Sequence, residues 1–199
     1  MSRHDSAPAG VADAEDVSLM ARTASGDMTG FEELVTRHQA LVAGTIGHML
    51  GDNSEVEDLA QQVFVRLWKS AKRYTPRAKF TTFLLTITRN LVFNEIRRRK
   101  RHASVPLQSD PEAEEMQLKD EQSSTPDASL LERELQRAVE SAIAELPETQ
   151  RMALVLRRYQ DLSYEEIAEV LKQSVPAVKS LLFRARTELR DRLKSYLAN

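Results

Sequence analysis

The chain has 199 residues, a formal net charge of −2, 41% hydrophobic residues and no cysteine. That composition suits one or two modest folded domains and excludes a disulfide framework or a thiolate metal site. No apolar run approaches the ~20 residues that cross a bilayer, residues 1–16 lack the apolar core of a signal peptide, and His4, His38, His48 and His102 lack metal-motif spacing. A cytoplasmic protein with no membrane insertion, cofactor or metal is expected.

Residues 1–15 read as a disordered tail. Beyond them apolar residues recur at intervals of three and four and strand signals are weak, which predicts an all-α fold. A helix is expected from about Gly30 to Leu50. In the next one Val56, Leu59, Ala60, Val63, Phe64, Leu67, Trp68 and Ala71 share a stripe, and Glu57, Asp58, Gln61, Gln62, Arg66, Lys69 and Arg73 lie opposite. Phe64 and Trp68 read as core, and Glu55, Glu57 and Asp58 suit the positive end of that helix. Thr75-Pro76 breaks the pattern before a helix from about Phe80 to Arg101, striped by Phe80, Phe83, Leu84, Ile87 and Leu91. Thr82, Thr86, Arg89, Asn90, Phe93, Asn94 and Arg97 form its second, polar face, and Arg97 to Arg101 is an unbroken basic run. Arginines, amides and an aromatic on one face suit phosphates and unstacked bases. The same arginines also complement a helix dipole without any ligand.

From residue 102 to residue 128 the apolar period fails, prolines appear (Pro106, Pro111, Pro126), and Asp110, Glu112, Glu114, Glu115, Asp120, Glu121 and Asp127 accumulate. This composition predicts a flexible linker between a domain at 16–101 and another at 129–199. Leu131, Leu135, Val139, Ala142, Ile143 and Leu146 stripe the next helix, which Leu146-Pro147 ends, and Met152 to Tyr159 supplies a short one. Ser163-Tyr164-Glu165-Glu166 reads as a capping box ahead of Ile167, Ala168 and Leu171. After a turn at Lys172-Gln173, Ser174 caps a last helix with Pro176 in its first turn. Two helices, a tight turn and a basic second helix make a helix-turn-helix. Ala177, Lys179, Ser180, Phe183 and Arg184 then fall where base edges are met, and Val178, Leu181, Leu182 and Ala185 point inward. An ordinary helical hairpin with a solvated basic face has the same spacing.

The segment Glu57-Asp58-Leu59-Ala60-Gln61-Gln62-Val63-Phe64-Val65-Arg66-Leu67-Trp68 resembles the region 2 polymerase-docking helix of extracytoplasmic-function sigma factors. Lys79-Phe80-Thr81-Thr82-Phe83-Leu84, Thr88-Arg89-Asn90 and Arg97-Arg98 are similar to that family's melting and minus-10 helix. Leu146-Pro147, Gln150-Arg151, Leu162 to Ala168, Val178-Lys179-Ser180 and Phe183-Arg184-Ala185-Arg186 resemble its region 4. The resemblance implies a sigma factor that directs core RNA polymerase to promoters and initiates transcription, and no enzyme. It implies that Glu57, Asp58 and Gln61, with Gln62 and Arg66 as neighbours, dock on the coiled coil of the polymerase beta-prime subunit, and that the partner is core RNA polymerase through its beta-prime and beta subunits. Pro76, Arg77, Lys79, Arg89, Asn90, Phe93, Arg97 and Arg98 would meet the minus-10 element, and Ala177, Lys179, Ser180, Phe183, Arg184 and Arg186 the minus-35 element. An anti-sigma factor is a further implied partner.

Three positions depart from the family pattern: Phe83 stands for a tryptophan, Glu95 for an aspartate, and Lys172 for the turn glycine. A conventional helix-turn-helix regulator acting without polymerase is the alternative, and it explains Ser163 to Leu193 but not the Trp68 helix. A recombinase-like enzyme would need a nucleophile with supporting acids, whereas Tyr159 and Tyr164 have helix-packing explanations.

Overall fold

The computed structural model describes residues 9–52, 54–104 and 126–197, and the regular elements in them are helical. Helix α1 (Ala9–Ala24) crosses α2 (Met28–Leu50), whose first turn is capped by the Asp27 carboxylate accepting from the N–H groups of Thr29 and Gly30. At the crossing a Cβ on Gly30 would stand 3.1 Å from the Arg22 Cβ, so the missing side chain lets the helices approach. Helix α2 ends on Gly51 at φ 76°, a left-handed conformation that glycine adopts freely.

Helix α3 (Val56–Ser70) turns Leu59, Val63, Phe64 and Leu67 inward, and Trp68 packs edge-on against Phe31 with 5.0 Å between ring centres. A turn of 3₁₀ helix (Ala71–Arg73) and the loop at 74–79 lead into α4 (Phe80–Ser104). Four helices pack on α4: α1, α2, α3 and, from the other half of the chain, α7 (Tyr164–Leu171). Its buried set is therefore wider than one stripe. Phe80, Leu84, Leu85, Leu91, Val92 and Ile96 are buried, and so are Thr82, Thr88 and Glu95. The Thr88 hydroxyl escapes the cost of burial by donating to the Leu84 carbonyl at 3.0 Å.

The second half comprises α5 (Pro126–Ala144), α6 (Glu148–Arg158), α7, α8 (Val175–Arg192) and a short α9 (Lys194–Leu197). The capping box is present: the Ser163 hydroxyl accepts from Glu166 N–H at 3.2 Å, and the Glu166 carboxylate accepts from Ser163 N–H at 2.7 Å. Ser174 caps α8 by accepting from Ala177 N–H at 3.3 Å. Between the two helices Lys172 is left-handed, at φ 53° and ψ 48°, so the turn keeps its geometry without the glycine.

Three boundaries differ from the sequence expectation. Helix α1 occupies Ala9–Ala24, reaching into the expected tail, because it is tied down by side chains whose partners lie far along the chain: Glu15 pairs with Arg37 at 2.7 Å and Asp16 with His38 at 3.0 Å. Helix α4 continues to Ser104 and α5 starts at Pro126, so helix reaches into both ends of the expected linker. Residues 105–125, which include Asp110, Glu112, Glu114 and Glu115, lie outside the described residues.

The two halves share one core. Helix α4 meets α7, and α2 meets α5 and α6. Arg151 of α6 donates to the carbonyls of Met49 at 2.6 Å, Leu146 at 3.1 Å and Ala144, which gathers the C-terminal ends of α2 and α5 around one cation. His48 stacks on Tyr159 at 3.7 Å, Gln160 donates to the Thr45 hydroxyl, and Lys79 pairs with Glu166 at 2.7 Å.

A left-handed residue with a Cβ costs about 1–2 kcal/mol, part of which glycine gives back through its freer unfolded chain. Lys172→Gly should therefore stabilise the protein by about 0.5–1 kcal/mol in denaturant melts.

Candidate nucleic-acid interface

The cap at Ser174 and the proline in the first turn fix where α8 begins, and that sets which residues face outward. Val178, Leu182 and Ala185 are buried and Leu181 is half-buried. Lys179, Ser180, Phe183, Arg184 and Arg186 are exposed, and Ala177 is half-buried beside them. Phe183 is 72% exposed, the most exposed of the large apolar side chains among the described residues. The Tyr164 ring lies under this face, with the Arg157 guanidinium 5.3 Å and the Lys179 ammonium 5.9 Å from its centre. Further along α8 the charge is already matched, because Arg192 pairs with Glu188 at 2.9 Å and with Glu145.

On α3 the outer face carries Glu57, Asp58, Gln61, Gln62, Val65 and Arg66, all exposed. Val65, which polarity alone did not single out, is 50% exposed and places an apolar side chain within this face. Asp58, Gln62 and Arg66 also share a groove of about 460 Å³ with Asn94, Arg98 and Arg101 of α4. Of the minus-10 residues named from the sequence, Arg98 lines this groove, beside the polymerase-docking candidates Asp58, Gln62 and Arg66.

On α4 and its leading loop, Pro76, Arg77, Lys79, Asn90, Asn94 and Arg97 are exposed. Arg89 and Phe93 are half-buried, with the guanidinium 6.0 Å from the ring centre and Arg89 Nε donating to the Asn90 side-chain oxygen at 3.2 Å. Burial pushes the Arg89 pKa down. Thr82, placed on the polar face by spacing, is buried at 3% exposure.

The basic run is divided in function. Arg98 pairs with Glu95 at 2.7 Å and Glu55 at 2.6 Å, and Arg99 with Asp52 at 2.5 Å and Glu55 at 2.9 Å. These pairs fasten the end of α4 to the start of α3, so Glu55 is occupied rather than displayed, and Arg98 is engaged before any DNA arrives. Lys100 pairs with Glu148 at 2.5 Å in the other half. Arg97 stays exposed and donates to Asn94 at 3.4 Å.

An exposed helix-turn-helix face beside a second helical unit with an arginine- and asparagine-bearing surface defines a two-domain DNA-binding protein. Residues 34–102 match Sigma-70 region 2 and residues 136–189 match Sigma-70, region 4. The RNA polymerase sigma-H factor of Pseudomonas aeruginosa is 33% identical over 190 residues, covering 92% of this chain and 96% of the relative. The ECF RNA polymerase sigma-E factor of Haemophilus influenzae is 32% identical over 184 residues, covering 90% and 95%. Among solved structures, CnrH in complex with the cytosolic domain of CnrY aligns with a TM-score of 0.66 at 27% identity, covering 91% of this chain and 98% of that one. The sigma factor RpoE of Bartonella quintana, in complex with the anti-sigma factor NepR, shares the fold at a TM-score of 0.63 and 21% identity, covering 82% and 96%. The chain belongs to the extracytoplasmic-function group of sigma-70 family RNA polymerase sigma factors. It directs core polymerase to promoters, and the region 2 match favours this over a regulator that is a helix-turn-helix alone. Among the described residues no helix is long and apolar enough to cross a membrane.

The hydrogen bond from Arg98 holds the Glu95 carboxyl down to about 2, against burial, which pushes it the other way. A depressed carboxyl contributes stability above its unfolded value and loses it as pH falls through the folded one. Glu95→Gln should therefore cost about 2 kcal/mol at pH 7. In denaturant melts its gap from the unaltered protein should narrow as pH falls from about 4.5 toward 2.

Proposed function

We propose that the chain divides promoter recognition among three surfaces: α3 for polymerase, the loop at 76–79 with α4 for the minus-10 element, and α8 for the minus-35 element. The observation that carries this reading is the outer face of α8. There a bare phenylalanine stands between Lys179 and Arg184 above a buried apolar row, a pattern suited to a groove and not to solvent. Lys179 and Arg184 suit guanine acceptors, and Phe183 suits a thymine methyl. Ser180 already donates to the Pro176 carbonyl at 3.1 Å, which leaves its oxygen to accept from a base or its hydroxyl to turn to a phosphate.

Asn90, Arg97 and the loop residues Pro76, Arg77 and Lys79 act on separated strands. Extruding a base costs a few kcal/mol, and stacking on a protein surface returns about 1–3 kcal/mol per base, so capture of bases favours opening without fuel. Phe93 and Arg89, half-buried side by side, form the floor of that surface and brace Asn90. On α3, Glu57 and Asp58 bring negative charge to a basic clamp on the beta-prime subunit, and Gln61, Gln62, Val65 and Arg66 complete the contact. The protein works in the cytoplasm and has no catalytic step of its own. An anti-sigma factor is a partner, by analogy with the complexes in which CnrH and RpoE were solved.

Reversing both Glu57 and Asp58 to Lys should abolish binding to core polymerase, since like charges then meet, with the helical circular dichroism unchanged. Retained affinity in a pull-down would overturn the α3 assignment. Arg184→Ala should lose about 1–3 kcal/mol of discrimination at one minus-35 position, whereas Arg192→Ala should leave sequence preference intact. Promoter-variant libraries bound by the holoenzyme at two salt concentrations read the difference, and a uniform loss for Arg184→Ala would make that residue a phosphate contact.

A further inference from the structure

The minus-10 helix begins without a cap of its own. The side chain of Lys79, the residue before Phe80, offers no acceptor, and the first turn of α4 contains no acid. Leading amides of a helix need partners from outside it. Here the partner comes from α1: Asp13 Oδ1 accepts from Phe80 N–H at 2.7 Å, across 67 residues of sequence.

The bond closes one end of the loop at 74–79. At the other end Tyr74 packs on Phe83 at 5.0 Å and on Phe80 at 6.2 Å between ring centres. Burial raises the Tyr74 pKa and the Asp13 charge adds to it, while Lys79, held up first by its bond to Glu166, is also affected by Asp13. Both ends of the loop therefore lie within the field of one carboxylate. Between them the Arg77 N–H donates to the Thr75 carbonyl at 2.8 Å, a tight turn that carries Pro76 and Arg77 outward. Asp13 is itself on a fixed helix, since Glu15 and Asp16 anchor α1 to Arg37 and His38 of α2. The match to region 2 starts at residue 34, so α1 lies outside it.

We propose that Asp13 is a positioning residue for minus-10 recognition: it sets the first turn of α4, and with it the loop at 76–79, without touching DNA. This rests on the reading of that loop and of Asn90 as the minus-10 surface. The bond is a cap supplied from a distance, and loss of a cap corresponds to about a fivefold change in an equilibrium.

The test uses the full chain assembled with core polymerase. The probe is a labelled single strand carrying the non-template minus-10 sequence of a promoter that this holoenzyme transcribes in vitro. Asp13→Ala should weaken binding of the strand about fivefold, while affinity for core polymerase and for a minus-35 duplex stays within twofold. Asp13→Asn keeps an acceptor and should bind the strand within about twofold of the unaltered protein. Unchanged strand binding in Asp13→Ala overturns the proposal, and so do equal losses of strand, duplex and polymerase binding, which a merely structural role would produce. A loss in Asp13→Asn as large as in Asp13→Ala also overturns it, because the bond would then not be what matters. Asn90→Ala separates the two levels: if it binds the strand normally, the minus-10 reading itself falls, whereas its failure beside a normal Asp13→Ala sinks the Asp13 role alone.

Discussion

Helix α4 has to serve two environments at once, and most of the molecule is arranged around that demand. Four helices pack on it, yet it must still present Asn90, Asn94 and Arg97 to solvent. The arrangement works because buried Thr88 and Glu95 have partners close by on the same helix. Thr86 and Thr88 return their hydroxyls to the carbonyls four residues back, and Glu95 is bracketed by Arg98 and Arg99. A helix wrapped this closely cannot shift one end without disturbing the rest, so its two ends are held by charged groups from elsewhere. Asp13 holds the first turn, and Glu55 and Asp52 hold the last through the arginines.

The boundary between the halves combines contacts of different strength. Arg151, with three carbonyl oxygens around one half-buried guanidinium, is a costly group to leave unpaired and burial lowers its pKa. The Lys79–Glu166 and Lys100–Glu148 pairs lie nearer solvent, where an ion pair contributes at most about 1 kcal/mol. Glu166 also has two duties, since the same carboxylate completes the capping box of α7. Lowering of its pKa reflects those bonds, from Lys79 and from Ser163, acting against burial.

Local interactions were legible in the sequence, and distant ones were not. The capping box, the Ser174 cap, the inward row of α8 and the stripe of α3 all connect residues three or four apart, so periodicity and residue type suffice. The left-handed Lys172 was foreseeable for the same reason, as a turn of that length needs the conformation whichever residue occupies it. Helix α1 was mistaken for a tail up to residue 15 because Asp13 and Glu15 look like solvated charge until α4 and α2 arrive beside them. Arg98 and Arg99 read as display surface because Glu55, their partner, lies 43 and 44 residues away. Thr82 had the right spacing for the polar face, but spacing within one helix says nothing about how many neighbours cover it.

The contact between α4 and α7 carries a consequence in length. Elements centred near positions 10 and 35 upstream of a start site are about 25 base pairs apart, or roughly 85 Å of duplex at 3.4 Å per pair. A 199-residue chain folded as one body has a radius of gyration of only about 16 Å. Under the proposed division of labour, with α7 seated on α4, the two faces cannot span that distance together, so engagement of both elements would part the halves. The covalent link from Ser104 to Pro126 can then extend to at most about 75 Å. Such a link caps the separation of the two elements without fixing it, so elements farther apart than its reach could not be held by both halves at once, however good their bases.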